Sequence, residues 1–168
     1  MTQDDQGCGE ATCILRTPIG PLKIVESGGF VVEVGLVSAM PGGAEPLACQ
    51  FMPPESPLLL EASRQLDEYF ACQRKSFQLP IKQTGTPFQQ AVWQALQAIP
   101  YGQTRSYRDI AVSVGKPNAM RAVGQANNRN KILILVPCHR VIQKDGGLGG
   151  FGCGVEAKRL LLQLEERV

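Results

Sequence analysis

A cysteine and the single histidine of the chain are neighbours in Val136-Pro137-Cys138-His139-Arg140-Val141-Ile142. A thiol ionises near pH ~8.5 and becomes a strong nucleophile when a neighbouring base or cation favours the thiolate. His139 could supply the base and Arg140 the positive charge. Side chains at adjacent positions point apart, so the spacing predicts a relay through a bridging water rather than a direct Cys138–His139 hydrogen bond. Taken as an isolated dipeptide, the pair reads more simply as a buried structural cysteine beside an incidental histidine. The surroundings have to decide.

Those surroundings begin with the elements that must hold the pair. Ile132-Leu133-Ile134-Leu135-Val136 is a continuous apolar, β-branched run, which predicts a buried strand ending at Pro137. Upstream, Phe88, Val92, Ala95 and Leu96 share one helical face until Ile99-Pro100-Tyr101-Gly102 stops the helix. A second helix starts at Ser106 with Tyr107, Ile110, Ala111 and Val114 as its apolar face. Gly115-Lys116-Pro117 makes a turn, and a third helix runs from about Asn118 to Ala126. This is a helix-turn-helix outline, although an ordinary helical hairpin has the same pattern. A last helix covers about Val155 to Glu166, with Leu161 and Leu164 inward.

Before residue 84 the pattern is different. Cys13 to Thr17, Leu22 to Ser27 and Phe30 to Val37 read as short strands of an antiparallel meander. The stretch from Pro41 to Pro57 reads as an irregular loop, and Leu59, Ala62, Leu66, Tyr69 and Phe70 then recur at helical spacing. Leu79 to Pro87 interrupts both periodicities, which places a domain boundary between residues 84 and 85. Charge changes at the same place: residues 1–80 carry five Lys/Arg against ten Asp/Glu, and residues 81–168 carry twelve against five. A basic second half suits a polyanionic partner, as it equally suits a solvated surface of mixed charge.

At 168 residues and 43% hydrophobic, the chain can bury a real core. No apolar run approaches the ~20 residues needed to span a bilayer, and the start MTQDDQGCGE has no secretion-signal character. These features predict a cytoplasmic protein that meets no membrane and whose six cysteines are free thiols.

The segment around Cys138 resembles the active-site signature of the methylated-DNA–protein-cysteine methyltransferases, the O6-alkylguanine-DNA alkyltransferases. Phe88-Gln89, Val92-Trp93, Ile99-Pro100-Tyr101-Gly102, Ser106-Tyr107, Ile110-Ala111, Arg121-Ala122-Val123-Gly124, Asn127 and Asn130 follow in the family's order and spacing. Leu66, Tyr69-Phe70 and Thr86-Pro87 extend the resemblance upstream, and Lys158, Leu161 and Glu165 extend it downstream. It implies a free-standing repair protein of bacterial type, with an α/β N-terminal domain built on a ribonuclease H-like antiparallel sheet (1–84). A mainly α C-terminal domain with a winged-helix-like helix-turn-helix follows (85–168).

By the same resemblance Cys138 accepts the alkyl group, His139 draws its proton through a water, and Glu165 holds the histidine. Asn130 stiffens the turn before the active-site segment, and the Tyr107 hydroxyl donates to a guanine turned out of the helix. Arg121 fills the gap the flipped base leaves. Ala119, Ala122, Gly124 and Asn127 let the third helix approach the DNA minor groove. Pro137, Val141, Phe151, Gly152, Val155 and Trp93 are expected around the substrate.

The implied partner is double-stranded DNA carrying O6-alkylguanine, bound by a monomer with scope for cooperative assembly, and transfer needs no cofactor. Zinc, which some relatives bind through cysteine and histidine, is not expected: no histidine lies outside the active-site motif, and Cys8, Cys13, Cys49 and Cys72 lack a paired C-x-x-C. The family pattern is departed from at Phe151-Gly152-Cys153-Gly154, where a Tyr-x-Gly-Gly type sequence is common, and at Lys131, where proline is common. At the first of these, backbone N–H groups are left to bind the O6 atom. Other readings to be tested are a non-catalytic lesion binder, against which Cys138 argues, a helix-turn-helix regulator, and the catalytic half of a larger adaptive-response regulator.

Overall fold

The computed structural model describes residues 9–37, 56–152 and 154–166. The stretch from Pro41 to Pro57 lies almost wholly outside the described residues, as do Cys8, Cys49 and Cys153. The chain is a mixed α/β protein. β1 (Ala11–Leu15), β2 (Leu22–Ser27) and β3 (Phe30–Leu36) form an antiparallel meander in sequence order. β1 begins and ends two residues earlier than its composition predicts. α1 (Pro57–Phe70) packs on this sheet with Leu59, Ala62, Leu66 and Tyr69 buried, a stripe at helical spacing.

Helix starts follow from local chemistry. Ser56 caps α1, accepting from Leu59 N–H at 3.0 Å, with Pro57 in the first turn. α2 (Pro87–Gln97) opens with a reciprocal capping box between Thr86 and Gln89, and α3 (Tyr107–Ser113) with one between Ser106 and Asp109. α4 (Met120–Asn128) starts two residues later than predicted and has no side-chain cap. α5 (Val155–Glu166) closes the described chain.

Two short strands, β4 (Arg105–Ser106) and β5 (Val141–Ile142), pair in parallel, with Arg105 opposite Val141 and Ser106 opposite Ile142. The start of α3 is thereby tied by backbone hydrogen bonding to the residues just after the Cys138 turn.

The apolar run 132–136 is not the strand its composition predicts. Ile132 and Leu133 do meet the outer edge of β3, through Val34 N–H to Lys131 O at 2.8 Å and Leu133 N–H to Val34 O at 2.9 Å. The chain then reverses: Val136 N–H returns to Ile132 O at 3.0 Å, and Ile134 takes a left-handed φ of 71°. For a β-branched residue that conformation is strained by about 1–2 kcal/mol. All five residues are buried, so tertiary packing overrides local β preference. The core is continuous from the sheet (Ile24, Val34) through α1 and α2 (Leu66, Leu96) to Leu161 on α5.

Gly85, just before the α2 cap, lies against the edge of Trp93. A Cβ there would stand 2.6 Å from the Trp93 ring and 2.7 Å from Gln89 Oε1. Gly85→Ala is therefore expected to cost about 1–3 kcal/mol by overpacking, read as a lower urea midpoint. The emission of the chain's single tryptophan should shift in the same variant.

Candidate active site

Cys138 opens a short 3-10 turn, Cys138–Arg140, and its residue is only 3% exposed. The turn is set by Pro137, buried and with no N–H to give, whose carbonyl receives Arg140 N–H at 3.0 Å; Cys138 N–H goes to Val136 O at 2.8 Å. The sulfur accepts from Asn130 Nδ2 at 3.2 Å. Every position on that amide is used: Nδ2 also donates to Val136 O at 2.8 Å, and Oδ1 accepts from Ile132 N–H and Gln83 Nε2, both at 3.0 Å. A fully engaged amide cannot flip, so an N–H is fixed on the sulfur. The left-handed turn at Ile134 is what returns Val136 to Asn130.

Behind the sulfur lies a buried polar cluster centred on Glu165. Its Oε1 lies 2.8 Å from His139 Nε2, 2.7 Å from the Tyr69 hydroxyl and 2.9 Å from Arg140 Nη2. Its Oε2 accepts from Arg140 Nε at 2.9 Å and from Gly102 N–H at 3.1 Å. Arg140 also donates to Ile99 O at 2.7 Å. Burial pushes the Glu165 carboxyl up, but the donors His139 and Arg140 and their charges outweigh it and hold the group at about 2. Glu165 is therefore an anion with no proton to give. His139 Nε2 must carry the hydrogen between them, which leaves Nδ1 with a lone pair; that atom has no hydrogen-bond partner among the described residues. Burial holds His139 below its usual value, with Glu165 opposing, so the resting imidazole is neutral and its Nδ1 is a base.

Lys158 is wholly buried and donates to Val141 O at 2.5 Å and to Leu148 O, which ties the glycine-rich loop to β5. Burial lowers its ammonium to about 8, with Cys138 pulling the other way. Tyr107 stands half-buried at the start of α3, its hydroxyl 3.4 Å from Gly150 O. Burial and then the charge of Cys138 raise its phenol. A Cβ on Gly149, whose φ is +68°, would lie 2.9 Å from that hydroxyl, so glycine is what lets the loop pass Tyr107. Between α3, α4 and this loop opens a cleft of about 600 Å³. Arg108, Arg121 and Lys144 are among its lining residues, and no carboxylate is.

The residues singled out from the sequence fall into place unevenly. Asn130 bonds the sulfur of Cys138 and Glu165 bonds His139, two buried groups joined through the adjacent residues 138 and 139, with Pro137 and Val141 buried alongside. Tyr107, Arg121 and Gly124 line the cleft, and Ala119, at the N-cap of α4, and Ala122, on it, are half-buried. Asn127 is not on that surface: its residue is 8% exposed and its backbone O accepts from Asn130 N–H. Trp93 is also a correction, because its indole is core and donates to Ala126 O at 2.9 Å. Phe151 packs against the core, Gly152 is exposed and borders a separate depression with Lys131, and Val155 is 51% exposed at the head of α5. Sequence reasoning gave no role to Tyr69, Gln83 or Gly102. The available signal was on α5, where Lys158, Leu161 and Glu165 share one face at i, i+3, i+7, an apolar stripe with a charge at each end.

Residues 87–167 match the family model described as the 6-O-methylguanine DNA methyltransferase DNA-binding domain. The methylated-DNA–protein-cysteine methyltransferase of Mycobacterium leprae is 47% identical over 152 residues, 90% of each chain. The constitutive enzyme of that name from Bacillus subtilis is 61% identical over 112 residues, 66% of this chain and 68% of the relative. Among solved structures, the Mycobacterium tuberculosis O6-methylguanine methyltransferase superposes with a TM-score of 0.81 at 41% identity, over 94% of this chain and 93% of that one. A structure of that organism's protein in complex with DNA gives 0.79 at 41% identity, over 91% of each.

The buried cluster makes the fold acid-sensitive. The unfolded chain protonates its histidine near its ordinary value of ~6.5 and its carboxylates near ~4, whereas in the folded state His139 and Glu165 resist protonation to lower pH. Stability is expected to fall as pH drops below about 6.5, and further from about 4.5 towards 2, in urea titrations across that range. Glu165→Gln leaves Arg140 buried without its counter-charge and should cost about 3–5 kcal/mol in the same assay at pH 7.

Proposed function

The chain belongs to the methylated-DNA–protein-cysteine methyltransferases, and we propose that within this family its alkyl acceptor is Cys138, served by His139, Glu165 and Asn130. As a member it repairs DNA by direct reversal, moving alkyl groups from DNA to a cysteine of its own. The observation that carries the assignment of residues is the environment of the sulfur: an amide N–H fixed on it, and behind it a neutral imidazole whose other nitrogen is held by an anion.

The substrate in this reading is O6-alkylguanine in duplex DNA. The proton of Cys138 passes through a water to His139 Nδ1, and Glu165 stabilises the imidazolium that forms. Asn130 Nδ2 donates to the thiolate. A sulfur lone pair then forms the S–C bond as the C–O bond breaks, its electron pair remaining on the guanine O6. The Tyr107 hydroxyl gives its proton to the departing ring, which leaves as a neutral base; the proton on His139 returns to solvent, and solvent returns one to the Tyr107 phenolate. A thioether is a poor leaving group, so each molecule acts once. No cofactor enters the balance.

The methyl carbon of a stacked guanine is out of reach of a buried sulfur, so the nucleotide must be turned out, at a cost of a few kcal/mol. Arg121, exposed at the lip of the cleft, fills the space it leaves. Arg108 and Lys144 supply phosphate contacts, and the small residues Ala119, Ala122 and Gly124 let α4 approach the minor groove closely. The protein acts as a monomer. Its two parts, 1–84 and 85–168, correspond in this reading to a ribonuclease H-like α/β domain and a winged-helix-like DNA-binding domain, and it works in the cytoplasm.

Incubation with duplex DNA containing O6-methylguanine should add the mass of one methylene to the peptide bearing Cys138 and to no other. Cys138→Ala should abolish transfer and keep DNA affinity; transfer by that variant, or an unmodified Cys138 after repair, removes the assignment. Arg121→Ala should slow transfer from duplex about tenfold, equivalent to about 1.4 kcal/mol, and leave transfer from single-stranded oligonucleotide within twofold.

A further inference from the structure

The Glu165 cluster contains one donor from outside the C-terminal half. Tyr69 is on α1, the helix that packs on the N-terminal sheet, yet its hydroxyl crosses to Glu165 Oε1 at 2.7 Å. The residue is fully buried, and its ring is fixed by Phe70, Phe77 and Tyr101 at centroid separations of 5.3, 5.5 and 6.0 Å. Packing alone would be met by phenylalanine. The oxygen it reaches is the same one that His139 Nε2 uses, and Arg140 Nη2 shares it as well.

Three residues place four donor atoms on one carboxylate oxygen and divide its electron density, so each bond is weaker than it would be alone. We propose that Tyr69 is a positioning residue of the transfer site: its hydroxyl holds the carboxylate of Glu165 in place and competes with His139 for Oε1, tempering how strongly that oxygen favours imidazolium. The consequence is chemical. A carboxylate engaged by His139 without this competition would draw the imidazole into its protonated form, and a protonated His139 cannot take the proton of Cys138. Arg140 alone cannot provide the same control, since its cation repels the imidazolium but also binds both carboxylate oxygens rigidly. Tyr69 instead acts on one oxygen, at the atom His139 uses.

This inference rests on the reading of His139 as the base. The other titratable groups facing the cluster are Arg140 from the turn, Lys158 from α5 and Tyr101 from the segment after α2, with Cys138 acting in turn on Lys158. None of them is changed by the test.

Tyr69→Phe in the full chain keeps the ring and removes only the hydroxyl. The rate of transfer from O6-methylguanine duplex, measured against pH, should keep a plateau within fivefold of the unsubstituted protein, while its acid limb moves to higher pH by about half a unit, a threefold change in proton affinity. Affinity for undamaged duplex should not change. Because His139 is the chain's single histidine, its imidazole resonances report the same titration directly by NMR, whatever the rate. Placing 3-fluorotyrosine at position 69, a stronger hydrogen-bond donor of nearly the same shape, should move the limb the opposite way and covers the case in which Tyr69→Phe fails to fold. A limb and an imidazole titration that stay put in both variants, or shift the same way in both, overturn the role of Tyr69. Absence of transfer to Cys138, or of any His139-linked limb, in the unsubstituted protein would instead overturn the reading of the site itself.

Discussion

An anionic carboxylate buried in apolar protein is tolerable only if donors meet it on every side, and much of this molecule is arranged to meet Glu165. The turn after Cys138 sends Arg140 and His139 inward, the segment after α2 turns back so that Gly102 N–H points at it, and α1 sends Tyr69. These contacts are scattered along the chain, and they converge because each element has an apolar stripe that packs into the same core. The ion is thus both a cost and a register mark: the cluster is satisfied only when α1, α2, the Cys138 turn and α5 sit in one arrangement.

The sulfur of Cys138 is held by different means: it meets a neutral amide whose orientation is locked by its other three hydrogen bonds. That arrangement needs the chain to double back between Asn130 and Val136, and the strain at Ile134 is offset by burial of the whole apolar run. Local strain beside a reactive group is here a consequence of bringing a carbonyl and a sulfur to the same NH2.

Much of this was legible in the sequence, and for identifiable reasons. The helix start at Ser106 carries its own capping chemistry and the meander is punctuated by Gly and Pro, so the three strands of the meander and the last three helices are placed to within about two residues at the bounds read for them. Cys138, His139 and Asn130 are close in sequence, and their motif is specific. What could not be read locally was decided by distant packing. Ile132 to Val136 has strand composition, but the demands of Asn130 and the edge of β3 bend it. The family resemblance implies pocket and surface roles for Trp93 and Asn127, yet each turns inward. Tyr69 meets a partner 96 positions away, which no local pattern encodes.

The pairing of β4 with β5 is only two residues long, yet it acts as a fixed calliper. It fastens the first turn of α3, where Tyr107 stands, to the strand that follows Cys138, so that the span from helix to sulfur is set by backbone hydrogen bonds rather than by side-chain packing. A shift of the first turn of α3 would therefore carry the residues after Cys138 with it, and the wall of the cleft that Tyr107 forms is coupled to the cysteine through the main chain.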